Sequence, residues 1–105
     1  MKIPPERYEE TLAFYRDILG LRELPERNPG PGFEFGGKNL WLDRADGLDR
    51  TEVWFEVCAD DPAAAAQFLG ERGIRRCDEV EKLPENFEGF WISNPAGVVH
   101  LVCRE

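Results

Sequence analysis

The chain repeats one order of elements twice, and this internal repeat constrains its fold more than any other feature. The first predicted helix covers about 5–19 and ends at Leu19-Gly20-Leu21, while the second ends at Arg72-Gly73-Ile74. Each glycine suits the left-handed conformation that closes a helix. Each helix is followed by a predicted strand, a polar loop and a hairpin turned by glycine. The repeat predicts an α+β fold with two similar sheet units, about 1–46 and about 51–105, in a single domain of 105 residues.

The first helix carries apolar residues at the three- and four-residue spacing of one helical face. These residues are Tyr8, Leu12, Tyr15, Ile18 and Leu19. Only Met1, Lys2 and Ile3 precede the helix. The first strand of the first unit is therefore predicted to be truncated or missing.

The segment Thr51–Cys58 gives the clearest strand pattern in the chain, and Ile74–Val80 is a further predicted strand. Within Thr51–Cys58, alternation separates the side chains into two faces. One face holds Val53, Phe55 and Val57. The other face holds Glu52, Trp54 and Glu56.

The final segment, Phe90–Cys103, is predicted to form two strands around the turn Asn94-Pro95-Ala96-Gly97. Proline fixes φ and glycine accepts a positive φ, as tight turns require. The only histidine of the chain, His100, lies on the second strand and shares a face with Val98 and Val102. If the opposite face packs on a helix, His100 points to the open face of the sheet.

The composition excludes several classes of function. A net charge of −8 argues against binding to nucleic acid or to anionic lipid. The chain contains neither an apolar run of spanning length nor the apolar core of a signal peptide, so a cytoplasmic location is expected. Three cysteines, Cys58, Cys77 and Cys103, stand at unrelated spacings. They argue against a disulfide framework and against a zinc site, and they are expected to be reduced.

Two motifs give the sequence a family resemblance. Phe14-Tyr15-Arg16-Asp17-Ile18-Leu19-Gly20-Leu21 is similar to the F-Y-x-x-x-L-G-L motif of the vicinal oxygen chelate superfamily. The turn Asn94-Pro95-Ala96-Gly97 resembles its D-P-x-G turn. This superfamily includes glyoxalase I, bleomycin-resistance proteins and extradiol dioxygenases. The resemblance covers about residues 4–103 and implies paired βαβββ modules whose sheets curl around a cleft.

The resemblance also implies four metal-ligand positions, of which this chain retains two. The first position would lie on the strand before the first helix, where there is no candidate. The second position matches Trp41, whose indole cannot bind a metal. The third and fourth match Glu52 and His100. A catalytic metal usually needs about three protein ligands. No metal cofactor is therefore expected, and a divalent metal held by Glu52 and His100 is the alternative.

Without a metal, the predicted cleft is an aromatic site for a small molecule. Beside Glu52 and His100, its predicted ligand-binding residues are Trp41, Trp54, Glu56, Trp91 and Val98, with Phe90 as an alternative to Trp91. Aromatic faces beside carboxylates suit an aromatic or cationic ligand. The tryptophans are equally well explained as core or dimer-interface residues.

Glu52 and His100 are predicted to meet across the sheet. They would then serve as an acid–base pair, as ligand contacts or as a structural pair. The preferred hypothesis is a metal-free binding protein. The alternatives are a metal-dependent lyase, isomerase or dioxygenase of the same superfamily and a degenerate member that associates with another chain. A homodimer is expected, because a truncated first module leaves a sheet edge to cover.

Overall fold

The computed structural model describes residues 1–27 and 30–104, and its elements confirm the predicted α+β class. In chain order they are β1 (Lys2–Ile3), α1 (Pro5–Ala13), a π-helical turn (Phe14–Ile18), β2 (Glu23–Arg27), β3 (Pro31–Phe35), β4 (Lys38–Trp41), β5 (Asp43–Arg44), β6 (Phe55–Cys58), α2 (Pro62–Glu71), a 3₁₀ turn (Asp78–Val80), β7 (Gly89–Ser93) and β8 (Val99–Cys103). The chain divides into two compact units, Met1–Glu52 and Val53–Glu105.

The first unit contains an antiparallel sheet in the order β2-β3-β4. The hairpin between β3 and β4 turns at Gly36 and Gly37, whose φ values of +54° and +80° are left-handed. Residues with side chains adopt such angles only at a cost, so the two glycines fix the position of this turn. On β4, the Trp41 side chain lies directly over Gly32 of β3, where a Cβ atom would overlap the indole.

The first strand is short but forms part of the core. β1 pairs in parallel with β5, and Ile3 is fully buried together with Phe33 and Leu42. The backbone of Lys2 also exchanges hydrogen bonds of 2.7 and 2.9 Å with the backbone of Glu52. Glu52 is therefore part of the first unit. The strand predicted over 51–58 is shorter than expected and begins at Phe55.

The last turn of the first helix is wider than predicted. The N–H of Leu19 donates to the Phe14 carbonyl at 2.9 Å, which is the i→i+5 pattern of a π-helix. Because the extra residue changes the helical phase, Tyr15 packs against Phe33 but Ile18 is 74% exposed. The prediction that Ile18 and Leu19 continue the buried face is wrong.

The second unit contains a sheet in the order β6-β8-β7. β6 and β8 are parallel, and the long connection that parallel strands require contains α2. β7 and β8 form an antiparallel hairpin. At the far edge, Arg76 forms an isolated antiparallel bridge with Ile92. The strand predicted over 74–80 is reduced to this bridge, because the chain turns into the 3₁₀ segment at Asp78.

One face of the second sheet packs against the segment that precedes β7. Its buried cluster consists of Cys77, Trp91 and Val99, with Trp54, Leu83 and Leu101 packed around it. In neither unit is any helix of the described residues long or apolar enough to span a membrane.

Candidate functional site

The sheet register of the second unit places four side chains in one row. Phe55 pairs with His100, His100 pairs with Ile92, and Ile92 bridges Arg76. Partners in register project to the same side of a sheet, so these residues share one face. Two strand positions further along, Val57, Val102 and Phe90 form the next row of that face. We call this surface the His100 face.

His100 is fixed in orientation by the turn that precedes β8. Its Nδ1 atom lies 3.1 Å from the carbonyl oxygen of Val98. A carbonyl only accepts hydrogen bonds, so Nδ1 carries a proton and donates it. The imidazole lies against the Phe55 ring, with 5.2 Å between ring centroids and 52° between planes. The second nitrogen, Nε2, makes no hydrogen bond within 1–27 and 30–104. In the neutral imidazole it is therefore an acceptor without a hydrogen-bond partner among the described residues.

The turn itself is organised by Asn94. Its Oδ1 atom accepts hydrogen bonds from the N–H groups of Ala96 at 2.9 Å and Val98 at 2.8 Å. Its backbone N–H donates to the Val98 carbonyl at 3.0 Å, the same oxygen that receives the proton of His100 Nδ1. Gly97 completes the turn with a φ of +87°, as predicted. Asn94 therefore positions the oxygen that orients His100.

The His100 face is apolar at one side and charged at the other. Phe55 and Val57 are 53% and 48% exposed. At the opposite edge, the guanidinium of Arg76 lies 4.9 Å from the centroid of the Phe90 ring and forms a 2.7 Å ion pair with Asp78. The exposed part of the face therefore offers an aromatic ring and an imidazole nitrogen, while the nearby cation is already neutralised.

This register corrects the predicted cleft. The residue opposite His100 on β6 is Phe55, so the prediction that Glu52 meets His100 across the sheet is wrong. Glu56 pairs with Leu101, and Trp54 contacts Trp91, so both belong to the opposite face. Those of the predicted cleft residues that belong to the second unit are therefore divided between the two faces of its sheet.

All three predicted ligand-binding tryptophans make contacts within the fold. Trp91 is only 5% exposed, and its indole N–H donates to the Glu81 carbonyl at 2.8 Å. Trp54 packs edge-to-face on it, with ring centroids 5.2 Å apart. In the first unit, Trp41 covers Gly32. Val98 was predicted to contact a ligand through its side chain. In the structure its backbone carbonyl accepts the hydrogen bond from His100 Nδ1.

Solved structures identify the architecture. A glyoxalase/bleomycin resistance protein/dioxygenase superfamily member from Vibrio splendidus 12B01 aligns with a TM-score of 0.67 over 99% of this chain and 95% of that one. The chain has the fold of this superfamily. The sequence identity is 15%, so the likeness concerns the fold alone. It confirms the fold that the two sequence motifs implied.

Two further solved structures align less closely. A superfamily member from Sphaerobacter thermophilus DSM 20745 has 22% identity and a TM-score of 0.41, covering 100% of this chain and 94% of that one. TnmS3, an antibiotic binding protein from Streptomyces sp. CB03234, has 20% identity and a TM-score of 0.40, covering 99% and 91%. No protein-family model matches the sequence, and no curated protein matches it either.

The residues present do not fit the divalent metal that the superfamily resemblance implies. Across 1–27 and 30–104, no three His, Cys, Asp or Glu side chains lie close enough together to hold a metal ion. Burial raises the pKa of the Cys77 thiol, and burial together with the neighbouring Glu56 and Cys58 raises that of Cys103 to about 11. These two thiols are therefore neutral near pH 7.

A concavity of about 540 Å³ lies on the opposite side of the second sheet from His100. Its lining includes Ile74, Cys77, Ser93, Asn94 and Val99. None of the predicted site residues lines it. The sequence signals for this region were the strand predicted over 74–80 and the turn at Asn94, and both indicated backbone geometry rather than a cavity.

Proposed function

We propose that this protein binds a small planar aromatic molecule on the His100 face and does so without a resident metal. One observation carries the proposal. A half-exposed phenylalanine ring lies beside an imidazole whose orientation is fixed and whose Nε2 atom faces no partner among the described residues. A ring to stack on and one directed polar atom are two of the elements that small-molecule sites combine.

The tautomer of His100 specifies the polar group of the ligand. Because Nδ1 donates to the Val98 carbonyl, Nε2 of the neutral ring can only accept. The ligand should therefore carry a hydrogen-bond donor next to its ring, as phenols and aromatic amines do. The net charge of −8 disfavours anionic ligands and is compatible with neutral or cationic ones.

The likeness to the superfamily supports the fold of the proposed binding protein. Its metal site, location and oligomeric state are part of the proposal. We propose that the chain belongs to the superfamily as a member with a degenerate metal site. We also propose that it acts in the cytoplasm as a homodimer and does not bind nucleic acid or membranes. Among the described residues β6 is the outer strand of the second sheet, and such a strand edge is commonly covered by a partner, which favours a dimer. The mass in solution, measured by light scattering, tests the oligomeric state.

The binding test compares para-cresol with toluene, which has the same ring but no donor. Tryptophan fluorescence and amide chemical shifts report the titrations. We expect para-cresol to bind more tightly than toluene, and the difference to disappear in His100→Phe. Phe55→Ala should weaken para-cresol binding about 2- to 12-fold, the equivalent of about 0.5–1.5 kcal/mol for an aromatic pair.

Phe68→Ala is the matched control, because Phe68 on α2 is 54% exposed and Phe55 is 53% exposed. Its affinity for para-cresol should equal that of the unmodified protein. Equal affinity in all three variants would refute the site. Stoichiometric metal that is present in the purified protein and lost in His100→Phe would instead favour the metal-dependent lyase, isomerase or dioxygenase.

A further inference from the structure

Two cysteines occupy equivalent positions at the ends of neighbouring strands. Cys58 ends β6, Cys103 ends β8, and the two are direct partners in the parallel register. Parallel partners project to the same side of the sheet. Neighbouring strands lie roughly 4.8 Å apart, within the roughly 4.4–6.8 Å that Cα atoms span in disulfides. The ladder continues past the pair, because the N–H of Ala59 donates to the Cys103 carbonyl at 2.8 Å.

The two thiols differ in accessibility. Cys58 is exposed, whereas Cys103 is only 4% exposed. The third cysteine, Cys77, is buried beside Trp91, beyond β7, so that β7 and β8 lie between it and β6. The geometry thus gives Cys58 one partner within reach and gives solvent access to only one member of the pair.

We propose that Cys58 and Cys103 form a reversible intramolecular disulfide by exchange with a small-molecule disulfide. The thiolate of Cys58 attacks one sulfur of the reagent, releases one reagent thiolate and forms a mixed disulfide. The sulfur of Cys103 then attacks the sulfur of Cys58, and the second reagent thiolate leaves. The two protein thiols are oxidised, the reagent disulfide is reduced, and the two protein protons are taken up by the two reagent thiolates.

The order of the two steps follows from the surroundings of each thiol. Burial, Glu56 and Cys58 raise the pKa of Cys103 to about 11, so its thiolate is scarce near pH 7. Only the thiolate is an effective nucleophile. Cys58 therefore reacts first because it is exposed, and Cys103 resolves the mixed disulfide in a slower step that accelerates as the pH rises.

The resulting bond would join the strand that carries Phe55 to the strand that carries His100. These rings lie three residues before the bond on their respective strands and on the other face of the sheet. The inference does not depend on ligand binding at the His100 face. It concerns only the register and accessibility of the two thiols.

The test treats the native protein with oxidised glutathione, blocks the remaining thiols and measures intact mass. We expect the loss of two of the three thiols, no retained glutathione, and alkylation of Cys77 alone after unfolding. Closure should accelerate between about pH 7 and about pH 10. Cys77→Ala should close in the same way, and Cys103→Ala should stop at a glutathione adduct on Cys58.

Cys58→Ser provides the decisive comparison, because residue 58 is exposed and its replacement leaves the core intact. This variant should form no internal disulfide. The proposal is overturned if the native protein stops at the glutathione adduct over the whole pH range. It is equally overturned if the internal bond includes Cys77 or forms in Cys58→Ser.

Discussion

Replacing Asn94 should destabilise the second unit, although most residues of its turn are exposed. The Oδ1 atom of Asn94 accepts two backbone hydrogen bonds, from Ala96 and Val98. Each such bond contributes a net 0.5–1.5 kcal/mol, roughly, and a half-buried N–H left without a partner costs about 1–3 kcal/mol. Because Ala96 is exposed and Val98 is half-buried, we expect Asn94→Ala to lower the free energy of unfolding by about 2 kcal/mol.

Asn94→Asp is the matched variant, because a carboxylate retains an acceptor oxygen in the same place. We expect it to change the free energy of unfolding by less than about 0.5 kcal/mol. Urea unfolding followed by tryptophan fluorescence, to which Trp54 and Trp91 of the second unit contribute, measures both variants. With a slope of about 1–1.5 kcal/mol per molar urea, the Ala variant should unfold at a urea concentration lower by about 1–2 M.

A second readout follows the effect to His100. The backbone of Asn94 and the Nδ1 atom of His100 share the Val98 carbonyl, so loss of the turn should release the imidazole. Nitrogen chemical shifts of His100 should change from one tautomer to a mixture in Asn94→Ala and stay unchanged in Asn94→Asp. A loss below about 0.5 kcal/mol for the Ala variant, or equal losses for both variants, would refute this account of the turn.

Two further predictions concern packing and ionisation. Gly32→Ala should lower the free energy of unfolding by about 1–3 kcal/mol in thermal or urea unfolding, because its Cβ would overlap the Trp41 indole. Gly70→Ala, whose Cβ would meet nothing within 4 Å on α2, should be neutral or stabilising, and the reverse order would contradict this packing. The pKa of Cys103 is raised from 9.0 to about 11, so the folded state holds this proton more tightly than the unfolded state. The free energy of unfolding of the reduced protein is therefore unaffected by ionisation of this thiol below about pH 9. It falls by about 2–3 kcal/mol as the pH rises from about 9 to about 11. The free energy of unfolding of Cys103→Ala should not show this decrease at alkaline pH. If the pH profiles of the two proteins run parallel, the raised pKa of Cys103 does not affect stability.

Local sequence rules predicted the turns well. The left-handed glycines at Gly36, Gly37 and Gly97 lie where the hairpins turn, and Gly20 follows the first helix with a φ of +65°. Each of these conformations depends on a few adjacent residues, so a single sequence is sufficient to place them. The two helices were recognised for the same reason, because their caps and apolar spacing are local properties.

The candidate site was predicted less well because its geometry depends on register between distant segments. Alternation along β6 and along β8 was read correctly within each strand. It does not specify which residue of β6 faces His100, and the observed partner is Phe55 rather than Glu52. The strand is also shorter than its pattern predicts, since the backbone of Glu52 pairs with Lys2, about 50 residues earlier in the chain.

The π-helical turn at Phe14–Ile18 has a consequence for how this fold tolerates changes in chain length. A π turn holds one residue more than an α turn, so the additional residue is absorbed within the helix. Removing one residue there, for example Asp17, should convert the segment to regular α-helix and leave the start of β2 where it is. Insertions and deletions at this point would then change which side chains the helix exposes without moving the strands. Relatives of different length could share one sheet while presenting different helix surfaces.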